Sequence, residues 1–323
     1  MSISIYKKRK TKFDDFVQKA YLVAQEWADS VVDQVPVPLH KLAKEKNIHR
    51  IRFEPLLSTS GLVKEKEGFD IFINTEAPGA TQKAGTVQQI NNTDWNNFAP
   101  PLLFGIAHEI AHLIFLDVVG GIQKKRFLRD HEDELETACS KMARMLLIPK
   151  QRLIREIEGR LFDVNHIEGL IKLFKVSRKV FIWRLQLDDM KDVFKDADGL
   201  LVYAEVEQGH IVIKAYQIWG PQSKSRFATL FTISALNKQK NLPEERVLRE
   251  LHLVDDINTK FDEINAQLLE NEKGQIKLQV PCASDTLLPC ELNFCRIQDR
   301  SDGLLIGIKV AGNIEKRGLK SLM

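Results

Sequence analysis

Apolar positions along the chain change period twice. From Phe13 to Ala28 they recur at helical spacing, which predicts an amphipathic helix. A turn with two prolines, "VPVPLHKLA", comes next, and "TSGLVKEKEGFDIFIN" then reads as two short strands, with Asp70 to Asn74 at the sheet edge. A polar loop leads to "FGIAHEIAHLIFLD", Phe104 to Asp117, a helix apolar around nearly its whole circumference. Another helix is expected over about Glu132 to Leu147, stopped by Pro149 because proline cannot continue it.

Beyond Lys150 the pattern shortens. "IEGLIKLFKVSRKVFIWRLQ" splits its helical spacing at "KVS", predicting two short helices joined by a tight turn, with Ser177 capping the second. "KDADGLL" marks a boundary, after which alternation takes over: "LLVYAEVEQGHIVIKAYQI" predicts a hairpin turning near Gly209. Helical stretches near Arg226 to Lys238 and Glu244 to Leu269 come before strands in "GQIKLQVP", "CELNFCRIQ" and "DGLLIGIKVAG". The fold class expected is α+β, in three parts: 1–149, a helical segment 150–195, and a small α+β domain 199–323.

Composition narrows the class without naming a partner. A hydrophobic share of 44% and a charged share of 28% describe a globular chain, and a net charge of +3 is too small to require nucleic acid or an anionic membrane. The amino-terminal basic run Lys7 to Lys12 lacks the apolar stretch of a secretory signal and reads as a solvated tail. No window is uninterruptedly apolar over the length of a membrane span, so a cytoplasmic protein with no membrane partner is expected. The four cysteines, Cys139, Cys282, Cys290 and Cys295, form no CxxC pair and suggest neither a disulfide framework nor a zinc ribbon.

The polar residues inside the apolar helix carry the chemistry. With successive residues about 100° apart, His108 and His112 fall about 40° from each other and share a face. Two imidazoles in so apolar a helix need partners, and one metal ion satisfies both. H-E-x-x-H is the spacing at which two histidines bind Zn²⁺ and the intervening Glu109 works as general base on a water. The longer histidine extension is missing, since Phe115 and Val118 stand where glycine and histidine belong, so the third ligand is expected to be a carboxylate. On the helix after Glu132, Glu136 shares a face with the small residues Cys139, Ser140 and Ala143, the side on which a close neighbour packs. Glu136 is therefore the first candidate for third ligand, with Glu132, one turn earlier, as its rival. The reaction class is peptide-bond hydrolysis; His131, Tyr21 and Arg126 are candidates on residue type for stabilising the oxyanion.

The ordered set "VPVPLHKLA", "SGLVKEKEGFDIFIN", "FGIAHEIAHLIF", "ETACSKMARMLLIP" and "LIKLFKVSRKVFIWRL" resembles the ImmA/IrrE family of zinc metallopeptidases over about residues 15–187. The resemblance implies a zincin-like peptidase domain, with His108, His112 and Glu136 as zinc ligands and Glu109 as catalytic acid and base. It also implies a protein substrate, a helix-turn-helix repressor whose cleavage switches on a stress response or mobile-element genes. The longer IrrE-like layout implies a helix-turn-helix-like segment at 150–195 and a GAF-like sensor domain at 199–323 that receives a small-molecule signal. Two positions depart from the family's usual pattern. Gly105 stands where a hydroxyl residue is usual, and "TACSKMA" replaces Ala-Asn-x-Phe-Ala.

Alternatives stand beside these expectations. Residues 150–192 hold ten Lys and Arg against seven Asp and Glu. Ser177, Arg178, Lys179, Trp183 and Gln186 on an exposed helix face there would permit weak DNA contact, while the plainer reading is a helical brace. "DIFIN" is either an edge on which an extended peptide pairs or a structural strand. Trp219, Tyr203 and Tyr216 either line a ligand pocket or fill a core. A DNA- or partner-binding regulator with a structural or inactive zinc site is the alternative to an enzyme.

Overall fold

The computed structural model describes residues 2–92, 95–120, 128–207, 210–220, 273–281, 287–298 and 302–310. Helix and strand are mixed, as the α+β expectation requires. The chain divides into two compact units, Met1–Glu156 with Leu170–Leu187, and Ile157–Gly169 with Asp188–Met323.

The first unit begins with helix α1 (Ser2–Ser30), whose core face carries Phe13, Ala20, Ala24 and Ala28. The basic run Lys7 to Lys12 is thus helical, a correction to the tail expected for it. Helix α2 (Leu39–Glu45) leads into β1 (Ile48–Glu54), β2 (Ser60–Lys64), β3 (Phe69–Asn74) and β4 (Thr86–Gln89). Their sheet has the order β2-β3-β1-β4, with β1 and β3 parallel and the other pairs antiparallel. "DIFIN" is therefore an inner strand, contrary to the edge position expected. The edge beside it is β2, because β1 reaches past β2 in sequence to pair with β3. Asp70 on β3 is fully buried and is clamped by Arg50 (Nε to Oδ1, 3.0 Å) and Arg52 (Nε to Oδ2, 2.6 Å), the pairing that a buried carboxylate needs.

Helix α3 (Pro100–Val119) starts on two prolines whose missing N–H groups cost nothing in a first turn, and ends at Gly120, held left-handed at φ 90°. Among the described residues it is one helix long and apolar enough to cross a membrane by length and composition, although His108, Glu109, His112 and Asp117 interrupt its apolar run. Its most apolar window is 67% buried inside the protein, as befits a core helix. Helix α4 (Glu132–Leu147) has Glu132, Asp133 and Glu134 in its first turn, where the positive end of the helix dipole favours them. α3 packs against α1 and α4 and touches β2 and β3.

Helices α5 (Lys150–Ile157), α6 (Val164–Phe174) and α7 (Arg178–Leu185) follow. Ser177 caps α7 by accepting from the Val180 amide at 3.3 Å, as its place in "KVS" predicts. α7 buries Val180, Phe181, Ile182, Arg184 and Leu185, so the broad exposed face expected for it is reduced to Lys179 and Gln186. Arg184 is 1% exposed and donates to the Ile148 carbonyl at the end of α4 (2.9 Å). Trp183 lies between the Lys179 ammonium (4.5 Å) and the Arg144 guanidinium (5.6 Å). These contacts hold α7 against α4.

In the second unit, β5 (Gly199–Glu207), β6 (His210–Trp219), β7 (Lys273–Pro281), β8 (Leu287–Gln298) and β9 (Asp302–Val310) form an antiparallel sheet of order β6-β5-β9-β8-β7. The β5–β6 pairing closes at Glu207 and His210, where the hairpin is expected; the turn at Gly209 lies outside the described residues. So do the helices expected at 226–238 and 244–269. Trp219 and Tyr203 are buried, and Phe162 and Phe194 meet the Trp219 ring edge-on at 5.6 and 6.0 Å, which is core packing. Tyr216 is half-buried.

Candidate metal centre

α3 and α4 bring three ligand groups together. His108 Nε2 lies 3.0 Å from Glu136 Oε2, His112 Nε2 lies 3.2 Å from Glu136 Oε1, and the two imidazole Nε2 atoms are 3.1 Å apart. Zinc bonds of about 2.0–2.1 Å at tetrahedral angles set neighbouring ligand atoms about 3.3 Å apart. The observed spacings are close to that, so His108, His112 and Glu136 fit a metal ion and could hold one. The donors are two nitrogens and a carboxylate, which suit zinc and also Mn²⁺ or Fe²⁺. Among the described residues this group contains Glu136 and not its rival Glu132.

Glu136 is 52% exposed, not buried as its helical face suggests. Helical angles give the direction of a side chain, not where the groove between two helices opens; here it opens to solvent above the carboxylate. The small residues beside Glu136 meet the imidazoles. Ser140 Oγ is 3.3 Å from His108 Nδ1, and Cys139 is hydrogen-bonded to His112. The Ser140 partner on the far ring nitrogen of His108 holds the orientation that leaves its Nε2 toward the carboxylate. Helical spacing marked Ser140 and Cys139 only as small.

Electrostatics follow from these bonds. Burial pulls the His112 pKa down, but hydrogen bonds with Cys139 and Glu136 outweigh it, leaving the imidazole raised to about 10. Hydrogen bonds from His108 and then His112 hold Glu136 well below the usual carboxylate range, and burial pushes the Cys139 thiol up. In the metal-free chain the raised His112 contributes stability that is full below its unfolded value of 6.5 and is lost as pH rises through about 10. The depressed Glu136 contributes above its unfolded value of 4.5 and loses this as pH falls. The pair is thus strongest between 4.5 and 6.5. A metal ion must displace the His112 proton, so apparent zinc affinity is expected to rise roughly tenfold per pH unit through neutrality. Calorimetric titration in buffers of different ionisation enthalpy should show about one proton released per zinc bound.

Glu109, on the same helix, is 5% exposed, and its Oε1 accepts from Ser60 Oγ at 2.7 Å. Ser60 begins β2; sequence reasoning missed it because the two residues are 49 positions apart. Beside Glu109 and His112 lies a cavity of about 300 Å³ whose other walls are Leu62, Phe115, Leu116, Leu128 and Leu135. Neither His131 nor Tyr21, two of the oxyanion candidates, is among the residues lining this cavity. His131 is buried and stacked on Phe13 at 4.6 Å, Tyr21 lies on α1 near enough to Arg144 to act on its charge, and Arg126 falls outside the described residues.

Gly105 sits mid-helix on α3. A Cβ there would meet Ser60 Oγ at 3.4 Å and Ser60 Cβ at 3.6 Å, ordinary contact distances. Gly105→Ala is therefore expected to stabilise the chain by about 0.5–1 kcal/mol, read from urea unfolding midpoints at unchanged m-value.

Two histidines one helical turn apart, a facing carboxylate from a second helix and a buried glutamate between them are the parts of a metallopeptidase site of the H-E-x-x-H kind. Residues 100–186, which contain all four, match the family model of the IrrE N-terminal-like domain, Peptidase_M78. The ImmA/IrrE resemblance thus has a matching family model over that stretch. No curated protein matches the chain.

Proposed function

We propose that the chain is a cytoplasmic zinc-dependent endopeptidase that hydrolyses a peptide bond in a regulatory protein, a helix-turn-helix repressor. The observation that carries the reading is the buried Glu109 carboxylate set between His108 and His112, at whose Nε2 atoms Glu136 completes a three-ligand group. A structural metal site has no need of such a base and is normally closed by a fourth ligand.

His108, His112 and Glu136 would hold the ion. When bound, zinc supplies Lewis acidity that acidifies water and polarises a carbonyl. Glu109 takes the proton of the attacking water and delivers it to the leaving amine, so that the amide nitrogen departs neutral. The β2 edge, with Ser60 and Leu62 beside the site, offers backbone groups for an extended substrate to pair with. The apolar cavity receives a bulky side chain next to the scissile bond.

Within this reading, residues 1–149 are the peptidase part, 150–195 the helix-turn-helix-like segment and 199–323 a GAF-like sensor of a small-molecule signal. The brace contacts of α7 favour a supporting role for the helical segment over DNA contact. The test is incubation of the zinc-loaded chain with the helix-turn-helix regulator encoded beside it, with Glu109→Gln in parallel. Cleavage by the wild type alone supports the enzyme; no cleavage, with DNA binding by the chain itself, supports the regulator with an inactive site.

A further inference from the structure

We propose that Ser60 is the positioning residue for Glu109, a role that rests on the peptidase reading. Glu109 is almost wholly buried, and a carboxylate in such a place must be hydrogen-bonded to hold one orientation. The Ser60 hydroxyl supplies that bond to Oε1 at 2.7 Å, a normal O–H···O length. Ser60 is itself fixed. Its residue pairs with Ile73 in the β2–β3 ladder, and its carbonyl accepts from Ser58 Oγ at 2.8 Å. It lies against α3 at Gly105, where even an added Cβ would make only ordinary contact with Ser60 Oγ at 3.4 Å. With Oε1 held by Ser60, Oε2 is the oxygen that takes and returns the proton. Ser60 touches no reacting atom; it acts through Glu109, and because β2 is the sheet edge, the strand that an extended substrate would join also sets the base.

The experiment compares Ser60→Ala and Ser60→Thr in the full-length chain. Threonine keeps the hydroxyl and suits a strand position. In Ser60→Ala, kcat is expected to fall about tenfold with KM and zinc content unchanged, and Ser60→Thr should return kcat to within about twofold of wild type. A second readout needs neither metal nor activity: the side-chain carboxyl ¹³C resonance of Glu109 in the metal-free chain should move in Ser60→Ala and stay in place in Ser60→Thr. Wild-type kcat in Ser60→Ala, an effect confined to KM or zinc content, or an unmoved resonance overturns the proposal. If the wild type hydrolyses nothing, the peptidase reading fails, and the resonance still decides whether Ser60 holds Glu109.

Discussion

Glu109→Gln is expected to lower turnover by about 10²–10⁴-fold, the usual contribution of a positioned acid-base group, while leaving fold and metal content intact. Glutamine has the same shape, so the packing around this 5% exposed side chain is preserved. Its amide oxygen can still accept from Ser60 Oγ, so the bond to β2 survives. What it lacks is basicity. None of His108, His112 and Glu136 is altered, so zinc per chain, measured by elemental analysis, should match the wild type. A loss confined to turnover separates a base from a ligand; a loss of zinc in this variant would mean that Glu109 binds the metal.

The second large effect is on metal retention. His108→Ala and His112→Ala each remove one of three ligands and are expected to abolish stoichiometric zinc binding and with it activity. Glu136→Ala should do the same, and Glu132→Ala should not, because Glu132 is outside the group that could hold an ion. Ser140→Ala is the graded control: the hydroxyl lies 3.3 Å from His108 Nδ1, and loss of such an outer partner typically costs about 10–100-fold in metal affinity. Competition with a chromophoric chelator measures the series. Full zinc occupancy in Glu136→Ala would move the third ligand elsewhere. His112→Ala carries a further consequence, since Cys139 and Glu136 both lose a hydrogen-bond partner, so its metal-free form should also melt below the metal-free wild type.

What the sequence made legible is what local periodicity controls. The shared face of His108 and His112, the small strip on α4 that meets it, the Ser177 cap and the hairpin pairing of β5 with β6 all follow from spacing within one or two elements. β1 was not legible, because a register shift between Ile48 and Arg50 breaks its alternation. Its parallel pairing with β3, which displaced "DIFIN" from the edge, is a tertiary choice that no local pattern encodes. Ser60 was hidden for the same reason: its partner Glu109 belongs to another element, and neither segment records the other. The exposure of Glu136 depends on how far α3 and α4 part at their rim, a quantity that helical angles omit.

The most direct measurement is intact-mass spectrometry of the helix-turn-helix regulator after incubation with the zinc-loaded chain. Two fragments are expected, whose masses sum to the substrate plus one water, with a bulky apolar residue next to the cut. They should be absent in chelator and reduced by about 10²–10⁴-fold in rate with Glu109→Gln. An intact regulator, or fragments formed as fast by Glu109→Gln as by the wild type, would contradict the peptidase reading.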